Sequence, residues 1–176
     1  MAAFTVIDHT ELGVGGAASW SETGIASSYD HLMLEVSART DNASIWDDHW
    51  LTINGDSGAN YSSTQLYAVS ATVYSNRNAG ATKIENLIVG GAPLAADTFC
   101  AMKLWIPNYA NTTGYKQVSA QCAMENASAV DATWKLATTA GLWDSTAAIN
   151  QITLTPKSGG DYIQYSTFTL YGVTGA

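Results

Sequence analysis

The chain has 176 residues, the size of one domain with one sizeable core, and 47 % of them are aliphatic, aromatic or thiol-bearing. Charged residues make up only 12 %, about half of the ~25 % usual in soluble domains, so Ser, Thr, Asn, Gln and Gly must cover the surface. The net charge is −8, and the seven basic residues stand singly at Arg39, Arg77, Lys83, Lys103, Lys116, Lys135 and Lys157. That scatter excludes the basic cluster by which a protein neutralises phosphates or an anionic membrane surface, so neither nucleic acid nor membrane is expected as a partner.

Short apolar runs recur at roughly ten-residue spacing, separated by Gly, Asn and Ser turns, which is the all-β signal. Residues 4–7 form the first run. In 31–38, Leu32, Leu34, Val36 and Ala38 alternate with His31, Met33, Glu35 and Ser37, the pattern of a half-buried strand. Residues 45–53 follow and stop at a turn over 54–60, where Gly55 and Gly58 permit positive φ. The alternation of Tyr67, Val69, Ala71 and Val73 predicts another strand, with a turn at 76–80. Runs at 84–89, 99–106, 115–124, 133–137, 149–154 and 162–171 complete the set.

Pro107 lacks an N–H for a ladder and ends its strand, and Asn108, Asn111 and Gly114 supply turn conformations in a loop packed through Tyr109 and Tyr115. No window sustains a helical period, and no Pro-rich or Ser-rich linker divides the chain. The prediction is a single all-β domain over residues 1–176: a two-sheet antiparallel β-sandwich, jelly-roll-like, with about ten strands.

Cys100 is in phase with Met102, Leu104 and Ile106, and Cys122 with Val118, Ala120 and Met124, so both thiols are expected to face the core. Buried free thiols are the favoured state, and a disulfide stays open. Residues 1–4 carry no basic-then-apolar leader, so no secretory signal is expected, and no apolar run approaches the ~20 residues of a membrane span. Without secretion, the sequons at Asn42, Asn60, Asn111 and Asn126 read as chance in a Ser/Thr-rich chain.

The polar constellations point to no chemistry. Along a strand Asp47 and His49 share one side while Asp48 points to the other, and His9 and His31 are distant in sequence, so no metal site is assigned. The 54–60 turn lacks the spaced oxygen ligands and distal Glu of a calcium loop. No Gly-x-Ser-x-Gly occurs, and Asp47, Asp48, Asp97, Asp131, Asp144 and Asp161 sit mostly at turns rather than as a convergent pair. No enzymatic activity, catalytic residue or cofactor is expected. The six tryptophans and nine tyrosines raise a sugar-binding reading, with Trp46, Trp50, Tyr109 and Tyr115 as exposed candidates. The preferred alternative is that such rings fill a core or a subunit interface.

Four stretches carry a resemblance: 29–39, with its Tyr-x-x-Leu-x-Leu strand ending in Ala-Arg; 51–62, reading Leu-Thr-Ile-Asn-Gly-Asp-Ser-Gly-Ala-Asn-Tyr-Ser; 106–116; and 143–172. In this order they resemble a recurrent family of bacteriophage virion proteins, the jelly-roll modules of head decoration (cement) proteins and tail-fibre tips. A fibre tip normally follows a shaft, whereas this chain enters its sandwich close to Met1, which favours a free-standing module. The resemblance thus implies a decoration protein that sits as a homotrimer on the outer capsid surface, contacts the major capsid protein, and is made in the bacterial host cytoplasm before joining the virion. The alternative it implies is a receptor-binding tail-fibre tip that recognises host saccharide. A bacterial carbohydrate-binding domain is a third expectation.

Overall fold

The computed structural model describes residues 3–126 and 134–175, and among them twelve strands and no helix. The strands are β1 (Ala3–Glu11), β2 (Trp20–Thr23), β3 (His31–Ala38), β4 (Trp46–Ile53), β5 (Tyr61–Val69), β6 (Thr72–Ala81), β7 (Ile84–Gly90), β8 (Cys100–Pro107), β9 (Lys116–Met124), β10 (Lys135–Trp143), β11 (Gln151–Pro156) and β12 (Thr167–Thr174). An eight-stranded sheet runs β1-β12-β3-β8-β9-β10-β5-β6, and a four-stranded sheet runs β2-β11-β4-β7. Every ladder is antiparallel.

With β5, β6, β9 and β10 set aside, β1-β12-β3-β8 lies against β2-β11-β4-β7. Apart from β4 and β7, which pair within one sheet, successive strands of that remainder switch sheets, in the double Greek-key order of an eight-stranded jelly roll. The four other strands extend the larger sheet beyond β8. The fold is therefore the expected β-sandwich, with twelve strands among the described residues in place of about ten.

Period-2 alternation builds the core. In β9 every second residue from Lys116 to Met124 is buried. Leu32, Leu34 and Val36 of β3, Leu104 and Ile106 of β8, and Phe168 and Leu170 of β12 meet Leu51 and Ile53 of β4 and Ile152 and Leu154 of β11. Trp20 stacks on Phe168 with ring centres 5.4 Å apart, and Tyr162 meets Phe168 edge-on at 5.0 Å. Met33 has the outward parity of β3 yet is buried, because Tyr171 and Trp105 stand beside it on the neighbouring strands.

β7 packs across β5, β8, β9 and β10. Small inward residues on those strands, Ser63, Ala120, Cys122, Ala137 and Gly141, leave room for it. A Cβ on Gly141 would lie 2.8 Å from an Ile84 methyl.

Two expectations change. Residues 76–80 belong to β6, and the reversal comes earlier, at Ser70 (φ 51°) and Ala71 between the paired Val69 and Thr72. β6 is an edge strand exposed along nearly its whole length, so its sequence carries no burial alternation and reads as a turn. β2 escaped detection because four residues with one buried ring, Trp20, make no period. The predicted 133–137 run appears as β10, with Thr133 outside the described residues, as is Asp131. Cys100 and Cys122 are both buried and free, facing the core as their phase required.

Candidate functional site

Arg39 and Asp56, in the stretches 29–39 and 51–62, are structural ties. Arg39, at the end of β3, donates to the carbonyls of Ala92 (2.6 Å), Leu94 (2.8 Å) and Ala95 (3.0 Å), pinning the β7–β8 connection. Asp56 accepts from Trp143 Nε1 (2.7 Å), Asn60 Nδ2 (2.9 Å) and the Gly58 amide (2.8 Å). These donors, Trp143 first, hold its carboxyl below the usual range. The 54–60 segment is thus a turn tied to the end of β10, with its carboxylate already satisfied.

Asp47 and His49 point inward from β4 as parity required. Asp47 accepts from Ser158 through its hydroxyl (2.8 Å) and amide (3.1 Å), and from Asn42 Nδ2 at 3.3 Å. His49 Nδ1 lies 2.5 Å from the Tyr162 hydroxyl. Asp48, on the other side, reaches Lys157 at 3.5 Å. Among the described residues no three His, Cys, Asp or Glu side chains converge as a metal-binding group.

The four aromatic candidates separate. Tyr109 is fully buried, correcting the expectation that it is exposed. Asn108, with φ of 51°, bends the chain after Pro107 and turns the next ring inward. The Tyr109 hydroxyl then donates to the Ala26 carbonyl and accepts from the Tyr29 amide, tying the β8–β9 loop to the segment before β3.

Trp46 and Trp50 are half-buried on the outward side of β4, and a cation covers each. Lys83 Nζ sits 3.4 Å from the Trp50 ring centre. Lys135 Nζ lies 5.1 Å from Trp46 and 5.0 Å from Tyr67, between the two rings. Burial lowers the Lys135 pKa, and the neighbouring Asp48 opposes that shift. Each indole thus has a lysine ammonium over one of its faces.

Tyr115 is the exposed member, 57 % accessible. The neighbouring Asp144 carboxylate raises the pKa of the Tyr115 hydroxyl. Beside it lies a depression of about 190 Å³ among Pro107, Asn108, Asn111, Thr113, Tyr115 and Gln117.

A much larger trough of about 870 Å³ lies on the outer face of the eight-stranded sheet. One rung across it runs Thr169, Glu35, Lys103, Gln121, Thr138, Leu66. The next runs Thr167, Ser37, Ala101, Ala123, Leu136, Ala68, Val73. The polar groups gather at the β12–β3 end and the exposed apolar groups Leu66, Leu136 and Val73 at the β10–β5–β6 end.

Sequence reasoning missed this surface. Apolarity alone would send Leu136 inward and Lys135 outward. The reverse occurs because Ala137, Thr139 and Gly141 are the small residues that accommodate β7, and Lys135 shares their parity. No family model, no curated protein and no solved structure matches this chain.

Proposed function

We propose that this protein is a phage head decoration (cement) protein that docks on the outer capsid surface through the outer face of its larger sheet, as a homotrimer. The observation that carries the reading is the trough of about 870 Å³ bordered by exposed Leu66, Leu136 and Val73. A contiguous apolar border beside a concave surface is the signature of a protein-docking face rather than of ordinary surface. Phe4 and Val6 on β1 add exposed apolar area at the opposite edge of the same sheet.

Mechanistically, a cement protein works by buried area. An interface of ~1,600 Å², repeated at equivalent sites, resists the separation of neighbouring capsomers without any chemical step. Closed cyclic symmetry reuses one patch around the axis, so a trimer defines its own geometry. The net charge of −8 suits a partner surface carrying basic residues, and binding would then weaken with salt. The synthesis site is the bacterial host cytoplasm, and the destination is the virion.

The test is the copy number of this chain in purified particles relative to the major capsid protein, by quantitative mass spectrometry. A number comparable with the shell protein supports decoration. A small fraction of it supports the rival reading, a tail-fibre tip that recognises host saccharide. Complete absence from particles removes both. Leu136→Asp and Leu66→Asp, at exposed positions where folding tolerates charge, are expected to lower capsid occupancy.

A further inference from the structure

We infer that the depression beside Tyr115 binds one ring of a neutral saccharide. This inference rests on the loop between β8 and β9 and is independent of where the chain sits in a particle.

The loop is held in shape from three sides. Tyr109 anchors it from within through Ala26 and Tyr29. The Asn108 amide donates to His31 Nδ1 at 3.1 Å. Lys116, itself buried, donates from Nζ to the carbonyls of Gly114 (2.8 Å) and Thr146 (3.2 Å). Asn111 Oδ1 closes the tip by accepting from the Thr113 amide (2.6 Å) and hydroxyl (2.7 Å). A site fixed in this way orders little on binding, which limits the entropic cost.

What the loop displays is chemically uniform. Tyr115 presents an exposed ring. Asn108 and Gln117 line the depression with side-chain amides that make no hydrogen bond among the described residues. Asn111 uses its carbonyl oxygen in the turn and keeps its NH₂ as donor. Each free amide offers both a donor and an acceptor, which is what an array of sugar hydroxyls requires.

The negative face of the Tyr115 ring suits the slightly positive C–H face of a pyranose. No charged side chain lines the depression, which disfavours phosphate and metal ions, and the net charge of −8 disfavours anionic sugars. The space of about 190 Å³ equals about six water molecules at ~30 Å³ each, room for a single ring.

The full chain would be titrated with glucose, galactose, mannose and N-acetylglucosamine, with binding read from backbone amide NMR shifts. At least one is expected to give saturable shifts confined to residues 108–117, with a dissociation constant in roughly the millimolar range. Tyr115→Ala should weaken that binding by roughly tenfold or more, and Tyr115→Trp should restore it. Because Tyr115 is exposed, both variants should keep the wild-type melting temperature. Glucuronate should bind more weakly than glucose. The inference is overturned if none of the four sugars gives saturable shifts, if binding survives Tyr115→Ala unchanged, or if glucuronate binds best.

Discussion

His49 Nδ1 and the Tyr162 hydroxyl meet at 2.5 Å in the interior, the first on β4 and the second in the connection that leads into β12. Burial dominates both groups. It drives the imidazole pKa down to about 3, against the smaller opposing pull of Asp47, and pushes the phenol well above its usual value. The native protein therefore carries His49 neutral across the physiological range.

The unfolded chain binds a proton at His49 below about pH 6.5, and the native chain only near pH 3. Unfolding then takes up a proton throughout that window, so stability falls as pH drops from about 6.5 toward 3. The loss is roughly 1.4 kcal/mol per unit of pKa displacement. Urea unfolding at a series of pH values should show this slope, and His49→Gln, which cannot titrate, should flatten it. An unchanged slope in the variant would assign the acid sensitivity to other groups.

Tyr109 serves the loop by both its ring and its hydroxyl. Tyr109→Phe removes the acceptor for Tyr29 and the donor for Ala26, and should cost about 1 kcal/mol. Tyr109→Ala empties a fully buried site and should cost about 3–5 kcal/mol. Thermal melts of the two variants would separate the contributions, and equal losses would show that the ring contributes nothing beyond its hydroxyl.

Burial raises both thiols to about 12, Cys100 and Cys122 alike. The thiolate is the reactive form, so the native protein should resist alkylation at pH 8 while the denatured chain reacts at both positions. Rapid iodoacetamide labelling of either cysteine in the folded state, followed by peptide mass spectrometry, would contradict their placement in the core.

Gly91 donates its amide to the Ile45 carbonyl at 2.9 Å, and a Cβ there would run into the Ser44 carbonyl oxygen. Backbone cannot yield as a side chain does, so Gly91→Ala should destabilise by about 2 kcal/mol or more. Gly13 has nothing within 4 Å of its would-be Cβ, and Gly13→Ala should stay within about 0.5 kcal/mol of wild type. Chemical denaturation of the pair would check the contrast.

Strand identity was legible wherever one face is buried. In β3, β8 and β9 the alternation in the sequence is the alternation in the structure, since a pleated strand sends successive side chains to opposite faces. The sandwich, the inward thiols, the turn at 54–60 and the opposed sides of Asp47 and Asp48 all follow from that local rule. Three features do not. β6 has no buried face to mark it. β10 turns Lys135 in and Leu136 out because β7 needs small neighbours. Tyr109 and Tyr115, six positions apart in one loop, go to the core and to solvent, because the left-handed turn at Asn108 and the hydrogen bond to Ala26 aim the first ring inward. Local periodicity reports how a chain alternates; which of its faces meets a partner depends on strands far away in sequence, and only their packing decides it.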